Sequence, residues 1–327
     1  MSLAERGGRG PRFAAIDAVR GAAIAAMVVY HFSWDLSAFG LIGVDVIADP
    51  GWKAFARTIA GTFVTLVGVS LVLATRNGLQ LRPFLRRLAL IVGAALLVSV
   101  GTWFQFPDAF VFFGILHLIA FASVAALPFL RLPSPVVLLA AIAIFVLPFV
   151  YTSEIFNHPL LWWVGFTPRP PSTVDYVPVF PWFALTLLGI VLGRLFLKFA
   201  SAGAFAHWTP KGWLGCLAVL AGRWSLPIYL VHQPLLIGAL NLAMLLFPGL
   251  STSDAAIFGD QCVSTCQAGG NQPAVCEDYC GCVLSGLEGE GLLASAVRGQ
   301  LDEAGTDRWR TFVEACRPDP SAFDPSG

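Results

Sequence analysis

Ionisable residues inside long apolar stretches are the first features of this sequence that could do chemistry. Arg20 and His31 are eleven residues apart in one such stretch. On a helix they would lie about 16 Å apart on nearly the same face, at about 1.5 Å per residue. Ser225, Tyr229 and His232 recur at i, i+4 and i+7 and therefore also share a helical face. Histidine exchanges protons near neutral pH and arginine binds phosphates, so these residues could support proton transfer and anion binding.

His117 and Arg223 are further ionisable residues in or beside apolar stretches. Such a group inside a bilayer is costly, so it should be paired, face a cavity or take part in a reaction. Three histidines in three stretches predict one shared polar cavity. Plainer roles stay open: Arg20 can extend to the interface or pair with Asp17, His31 can hydrogen-bond at the outer interface, and His117 can pack in the core.

Transmembrane helices are the elements that must position these residues. The chain has 327 residues, of which 57% are hydrophobic and 12% are charged, and its mean hydropathy is +0.74. Soluble globular proteins carry about 25% charged residues. The composition therefore argues against an ordinary soluble enzyme, a disordered chain and a nucleic-acid-binding protein. The predicted fold class is all-α, a polytopic transmembrane helical bundle.

About seven segments have the roughly 20 apolar residues that a span requires. They are 13–33, 56–75, 87–105, 110–130, 134–151, 178–197 and 224–247. Residues 213–221 are assigned to an interfacial or re-entrant helix, with an eighth span as the alternative. Gly61, Gly68, Gly93 and Gly189 within the spans are predicted to let helices approach closely.

Lysine and arginine residues predict the orientation, because they concentrate on the cytoplasmic side. With the N-terminus inside, the inner side collects eleven of them and the outer loops only three, Lys53, Arg57 and Arg169. Seven spans then place the C-terminal tail outside the cytoplasm. We divide the chain into a cytoplasmic N-terminal segment (1–12), a transmembrane domain (13–249) and an acidic, Cys-rich helical tail (250–327).

The tail differs from the rest of the chain in both charge and cysteine content. Residues 1–250 carry a net charge of +8 and residues 251–327 a net charge of −8. Two C-x3-C pairs could lie on two short helices joined by a Gly/Pro turn, since i and i+4 share a face. Disulfides are one interpretation, with a zinc site or free thiols as alternatives. The disulfide interpretation pairs Cys262 with Cys280, Cys266 with Cys276 and Cys282 with Cys316, and leaves Cys216 as a lone thiol.

Several short stretches resemble a known family of membrane enzymes. The segment from Arg20 to His31 reads R-G-A-A-I-A-A-M-V-V-Y-H and resembles the first-helix motif of the membrane acyltransferase-3 family. I-D-A-V-R-G, Y-H-F-S-W-D-L, F-G-I-L-H, D-Y-V-P-V-F-P-W-F-A and the closing Y-L-V-H-Q-P are similar to bacterial relatives of the heparan-α-glucosaminide N-acetyltransferase catalytic domain. The resemblance covers residues 13–240 and excludes the tail.

The resemblance implies transfer of an acyl group from cytoplasmic acyl-CoA to an acceptor at the outer face, with acetyl as the expected group. The eukaryotic enzyme has its proposed acetyl-carrying histidine in the loop after span one, but residues 34–52 here contain no histidine. The central role therefore falls on His31, as general base or as transient acyl carrier. Asp35 is assigned to orient the His31 ring, with a solvated loop carboxylate as the alternative. The acyl-CoA and substrate-binding residues are expected to be Arg20, His117, Arg223, Ser225, Tyr229 and His232.

The expected partners follow from this assignment. They are the lipid bilayer, acyl-CoA as co-substrate and a sugar or glycan acceptor, without nucleic acid, bound metal or a tightly bound cofactor. A homo-oligomer stays open, and the expected location is the inner membrane of a bacterium. Two other functions stay open as well. One is a transporter or flippase for a small anionic or lipid-linked substrate, and the other is a structural or assembly protein that acts through the tail.

Overall fold

The computed structural model describes residues 13–200, 208–247, 254–297 and 299–317, with the side chain of residue 200 left aside, and within these residues all regular structure is helical. The predicted segment 1–12 and the predicted boundary at residues 249 and 250 lie outside this part of the chain. The described residues form two units, one of residues 13–32 and 50–235 and the other of residues 33–49 and 236–317.

Among the described residues of the predicted transmembrane region, eight helices follow one another. They are α1 (Ala14–Ala38), α2 (Pro50–Thr75), α3 (Leu81–Gln105), α4 (Ile115–Ala125), α5 (Ser134–Val150), α6 (Val179–Ala200), α7 (Gly212–Arg223) and α8 (Ser225–Leu246). Five of them, α1, α2, α3, α6 and α8, are long and apolar enough to cross a bilayer. The prediction of an all-helical, multi-pass membrane bundle is confirmed.

The remaining three apolar helices, α4, α5 and α7, have 17 residues or fewer. The predicted span 110–130 contains an 11-residue helix, α4, between short 3₁₀ turns at Pro107–Ala109 and Pro128–Arg131. The proline at the start of each turn lacks the N–H that a continuous α-helix would need. The 12-residue α7 corresponds to the predicted interfacial or re-entrant segment and measures about 18 Å, less than the about 30 Å of a bilayer core.

Close glycine contacts hold α2 against α6 in the core of the first unit. A Cβ atom added to Gly68 would come within 2.0 Å of the Thr186 carbonyl oxygen, and one added to Gly189 within 2.1 Å of the Thr65 oxygen. The predicted role of these two glycines in close approach is confirmed. The same prediction for Gly93 is wrong, because no atom lies within 4 Å of an added Cβ there.

The tail contains a disulfide-linked helical hairpin. Helices α9 (Asp254–Ala268) and α10 (Pro273–Gly289) are joined by a turn at Gly270, whose φ of +88° favours glycine. Two further helices, α11 (Leu293–Val297) and α12 (Glu303–Ala315), follow in the tail. The disulfides join Cys262 to Cys280, Cys266 to Cys276 and Cys282 to Cys316, as predicted, and Cys216 is free.

Candidate active site

A cavity of about 610 Å³ opens between helices of the first unit. Its volume lies within the range of about 300–1,000 Å³ that is usual for small-molecule sites. Residues from α1, α2, α3, α4, α7 and α8 line it. The polar lining residues are Asp17, Arg20, Ser70, Arg76, Asn77, Gln80, Arg87, Arg223, Ser225 and Tyr229.

The cavity has a strongly positive lining. Among the described residues, the lining contains four arginines and one acidic residue, Asp17. The Asp17 carboxylate pairs with Arg20 at 3.1 Å and with Arg223 at 3.5 Å. One carboxylate offsets one positive charge, so the lining keeps a net excess of three. Such a cavity is suited to a ligand with several negative charges.

Arg20 is fixed in place by two partners from different helices. Its guanidinium donates to Asp17 one turn earlier on α1 and, at 3.0 Å, to the Ser70 hydroxyl oxygen on α2. The ion pair with Asp17 left open by the sequence is therefore present. Arg20 also lines the cavity, and its ion pair offsets the cost of placing a charge in an apolar bundle.

Two glycines bring α7 and α1 close enough to form this end of the cavity. An added Cβ on Gly222 would lie 1.8 Å from the Asp17 carbonyl oxygen, and one on Gly21 would lie 1.8 Å from the Ala218 carbonyl oxygen. Any larger side chain would push the helices apart. The glycines thus allow Arg223, next to Gly222, to reach Asp17.

His31 and His232 lie side by side, with ring centroids 4.9 Å apart. The Nδ1 atom of His232 lies 2.7 Å from the Tyr229 carbonyl oxygen. A carbonyl only accepts, so Nδ1 carries the hydrogen and Nε2 carries a lone pair. His232 is 9% exposed, and its Nε2 atom is buried without a hydrogen-bond partner among the described residues. The pair thus presents a buried basic nitrogen.

Tyr229 connects the histidine pair to the cavity. It lines the cavity, its ring centroid lies 5.9 Å from that of His232, and it packs against all three apolar clusters of the first unit. The structure therefore brings the predicted Arg20, Arg223, Ser225 and Tyr229 into the cavity lining. It places His232 beside Tyr229 and His31 beside His232. The two histidines themselves are not part of the cavity lining.

His117 and Asp35 are placed differently from these residues. The Gly114 N–H donates to Nδ1 of His117 at 3.3 Å, so the hydrogen on Nε2 points to the Ser99 hydroxyl oxygen at 3.2 Å. Both ring nitrogens are used and the ring is not in the cavity wall, which matches the packing role left open for His117. Asp35, one turn beyond His31 on α1, is buried with 1% exposure, and its orienting role stays a prediction.

Arg76, Arg87 and Asp175 are polar residues that the sequence did not single out as site residues. The two arginines counted only toward orientation, because a charge at a helix end gives no sign of whether it turns toward a cavity. Asp175 lies in the loop between α5 and α6, where its carboxylate accepts the Ile115 N–H at 2.8 Å. Burial raises the pKa of Asp175 to about 6. Within the described part of the chain, no group of three or more His, Cys, Asp or Glu residues could hold a metal ion.

The fold and this site define a multi-pass membrane protein whose arginine-lined cavity reaches Tyr229, next to a pair of histidines. Residues 12–234 match the family model described as heparan-alpha-glucosaminide N-acetyltransferase, catalytic. The match covers more than half of the chain, and the chain belongs to this family. The resemblance noted from the short motifs is confirmed. Comparison with curated proteins and with solved structures gives no match.

Proposed function

We propose that this protein is an integral membrane acyltransferase that moves an acyl group, in the first place acetyl, from acyl-CoA to a sugar or glycan acceptor. Membership of an N-acetyltransferase family supports the reaction type. The observation that carries the proposal is the arginine-lined cavity that ends at Tyr229 beside the His31–His232 pair. The donor binds from the cytoplasmic side and the acceptor from the outer side.

The positive end of the cavity is the proposed binding site for the phosphates of CoA. Arg20, Arg87 and Arg223 carry guanidinium groups, whose planar fork donates paired hydrogen bonds to phosphate oxygens. Asp17 and Ser70 hold Arg20 in one orientation, so little freedom is lost when the phosphates bind. The thioester end of the donor then lies toward Tyr229.

The histidine pair supplies the proposed base. Nitrogen Nε2 of one histidine takes the proton of the acceptor hydroxyl or amine while the acceptor atom bonds to the thioester carbon. The C–S bond then breaks, and the CoA thiolate takes that proton to leave as the thiol. In this proposal the Tyr229 hydroxyl donates to the thioester oxygen as negative charge develops there. If His31 instead carries the acyl group, the same proton transfers occur in two steps.

Loss of either histidine should abolish most of the activity. Purified protein is given radiolabelled acetyl-CoA with amino sugars or glycans, and the label in the acceptor is measured. Because general base catalysis contributes about 10²–10⁴-fold, we expect His31→Ala and His232→Ala each to lower the rate by about that factor. His158→Ala is the matched control, since His158 is exposed in the outer loop and caps only a short 3₁₀ turn.

Two results would contradict this proposal. If His31→Ala and His232→Ala transfer label as fast as the His158→Ala control, the pair takes no part in the reaction. Substrate countertransport into vesicles without consumption of acetyl-CoA would instead assign the cavity to transport.

A further inference from the structure

The Asp175 side chain is held at the start of α4 by the loop that carries it. The Thr173 hydroxyl donates to the Phe110 carbonyl oxygen at 2.7 Å, and the Val174 and Val177 N–H groups donate to carbonyl oxygens of residues 109 and 113 at 3.0 and 3.1 Å. The segment 173–177 is thereby tied to the segment 109–113. The Asp175 carboxylate then accepts the N–H of Ile115, the first residue of α4.

Gly114 provides the space that this carboxylate occupies. A Cβ atom added to Gly114 would lie 2.2 Å from Oδ2 of Asp175. No other residue type could be present at position 114 without moving the carboxylate. The position of Asp175 is therefore specified from two sides, by the loop hydrogen bonds and by the absence of a side chain at Gly114.

The Asp175 carboxylate also interacts with two tyrosines next to the histidine pair. Its carboxylate interacts electrostatically with Tyr30 on α1 and with Tyr229 on α8, the residues next to His31 and His232. The ion pairs of the described residues do not include Asp175. The other titratable groups around it are Tyr176, next in the chain, and His117, which accepts the neighbouring Gly114 N–H. The partial positive charge at the α4 N-terminus partly balances the carboxylate.

We propose that Asp175 is a positioning residue for the acyl transfer, which fixes the first turn of α4 and holds a negative charge near Tyr30 and Tyr229, the residues next to the two histidines. This inference rests on the proposed function. When a histidine takes the proton of the acceptor it becomes a cation, and a nearby fixed negative charge stabilises that cation. Asp175 gains and loses no proton in the cycle. It also fixes Ile115 and Leu116, which line the donor cavity.

The Asp175→Asn substitution removes the negative charge and keeps an oxygen that can accept the Ile115 N–H. An asparagine oxygen can still accept the Ile115 N–H, because Asn caps helices about as well as Asp. We expect kcat to fall about tenfold or more while KM for acyl-CoA changes by less than about twofold, since the lost interaction acts on the charged intermediate rather than on donor binding. Asp302→Asn is the matched control, because Asp302 caps α12 in the tail through the Gly305 N–H at 2.7 Å.

The pH dependence distinguishes a role of the charge from a role in folding. The pKa of Asp175 is about 6, so the wild type loses this charge as the pH falls below that value. The ratio of wild-type to Asp175→Asn rates should therefore be largest above about pH 7 and approach one below about pH 5. A purely structural role would give the same ratio at every pH, and that result would overturn the proposal.

Gly114→Ala displaces the carboxylate without changing its chemistry and provides a second test. We expect a lower kcat, and we expect Gly114→Ala to add little further loss in the Asp175→Asn background, since both changes act through one interaction. Gly101→Ala on α3 is the control, because no atom lies within 4 Å of an added Cβ there. Full independence of the two losses would contradict the inference. If the wild type itself transfers no acyl group from any acyl-CoA, the proposed function fails, whereas an active wild type with an equally active Asp175→Asn variant rejects the role of Asp175 alone.

Discussion

Charged side chains at the polar end of the cavity are stabilised by ion pairs and hydrogen bonds. Asp17 binds two arginines and Ser70 holds one of them, so the polar end of the cavity is an ordered network rather than loose charges. The Nδ1–H group of His232 donates a hydrogen bond to the Tyr229 carbonyl oxygen, so the lone pair of the ring is on Nε2. That carbonyl lies three residues earlier on the same helix, so local geometry alone determines which nitrogen is available.

Arg87→Gln tests whether the cavity arginines bind the donor. Arg86 and Arg87 are both exposed, but Arg87 lines the cavity and Arg86 does not. A hydrogen bond to a charged group contributes about 1.5–3 kcal/mol, so we expect Arg87→Gln to weaken CoA binding by about tenfold or more. The affinity is measured by calorimetry on the detergent-solubilised protein, and Arg86→Gln serves as control. Equal affinities for the two variants would remove Arg87 from the donor site.

Sequence reasoning at this scale found the residues on helix faces and missed those that depend on tertiary approach. Arg20, Tyr229 and His232 follow from helical spacing, which acts within one element. Arg87 and Asp175 could not be recognised in this way. Arg87 belongs to a run of arginines at a helix end, and Asp175 lies in a loop that folds back onto a helix 60 residues earlier.

Helix contacts in the first unit depend on which glycines face a neighbour. Gly68 and Gly189 face each other's helices, and an added Cβ would meet a backbone oxygen at about 2 Å in each case. Gly93 is also a glycine in an apolar helix, but it faces open space. A small residue in a span thus indicates possible contact, and only the arrangement of helices shows whether a partner is present.

Gly189→Ala should destabilise the bundle. The Thr65 carbonyl oxygen that blocks the new methyl group belongs to the α2 backbone and cannot rotate away, and overpacking of this kind costs about 1–3 kcal/mol. We expect a lower midpoint of thermal unfolding in detergent, with Gly93→Ala close to the wild type. An unchanged midpoint for Gly189→Ala would mean that α2 and α6 do not pack at this distance.

At the scale of the whole molecule, the predicted orientation agrees with the distribution of basic residues and with the tail disulfides. The lysines and arginines concentrate on the predicted inner side, and disulfides in the tail require an oxidising compartment. The cavity residues Arg76 and Asn77 belong to the connection between α2 and α3, and the predicted orientation places this connection on the side from which we propose that acyl-CoA binds. Two of the disulfides were predictable because the C-x3-C spacing is local, and the third joins the two cysteines that remain in the tail. The lengths of α4 and α7 instead depend on how prolines and glycines interrupt apolar runs.

Alkaline phosphatase fusions test this orientation and the proposed donor side together, because alkaline phosphatase is active only outside the cytoplasm. We expect a fusion after Asn77 to be inactive, and fusions after Arg169 and Arg317 to be active. If the Arg317 fusion is inactive while the Arg169 fusion is active, α7 and α8 cross the membrane separately and the tail faces the cytoplasm. An active fusion after Asn77 would place the arginine-lined cavity on the outer side, away from acyl-CoA, and the donor assignment would fail even if the two histidines proved essential.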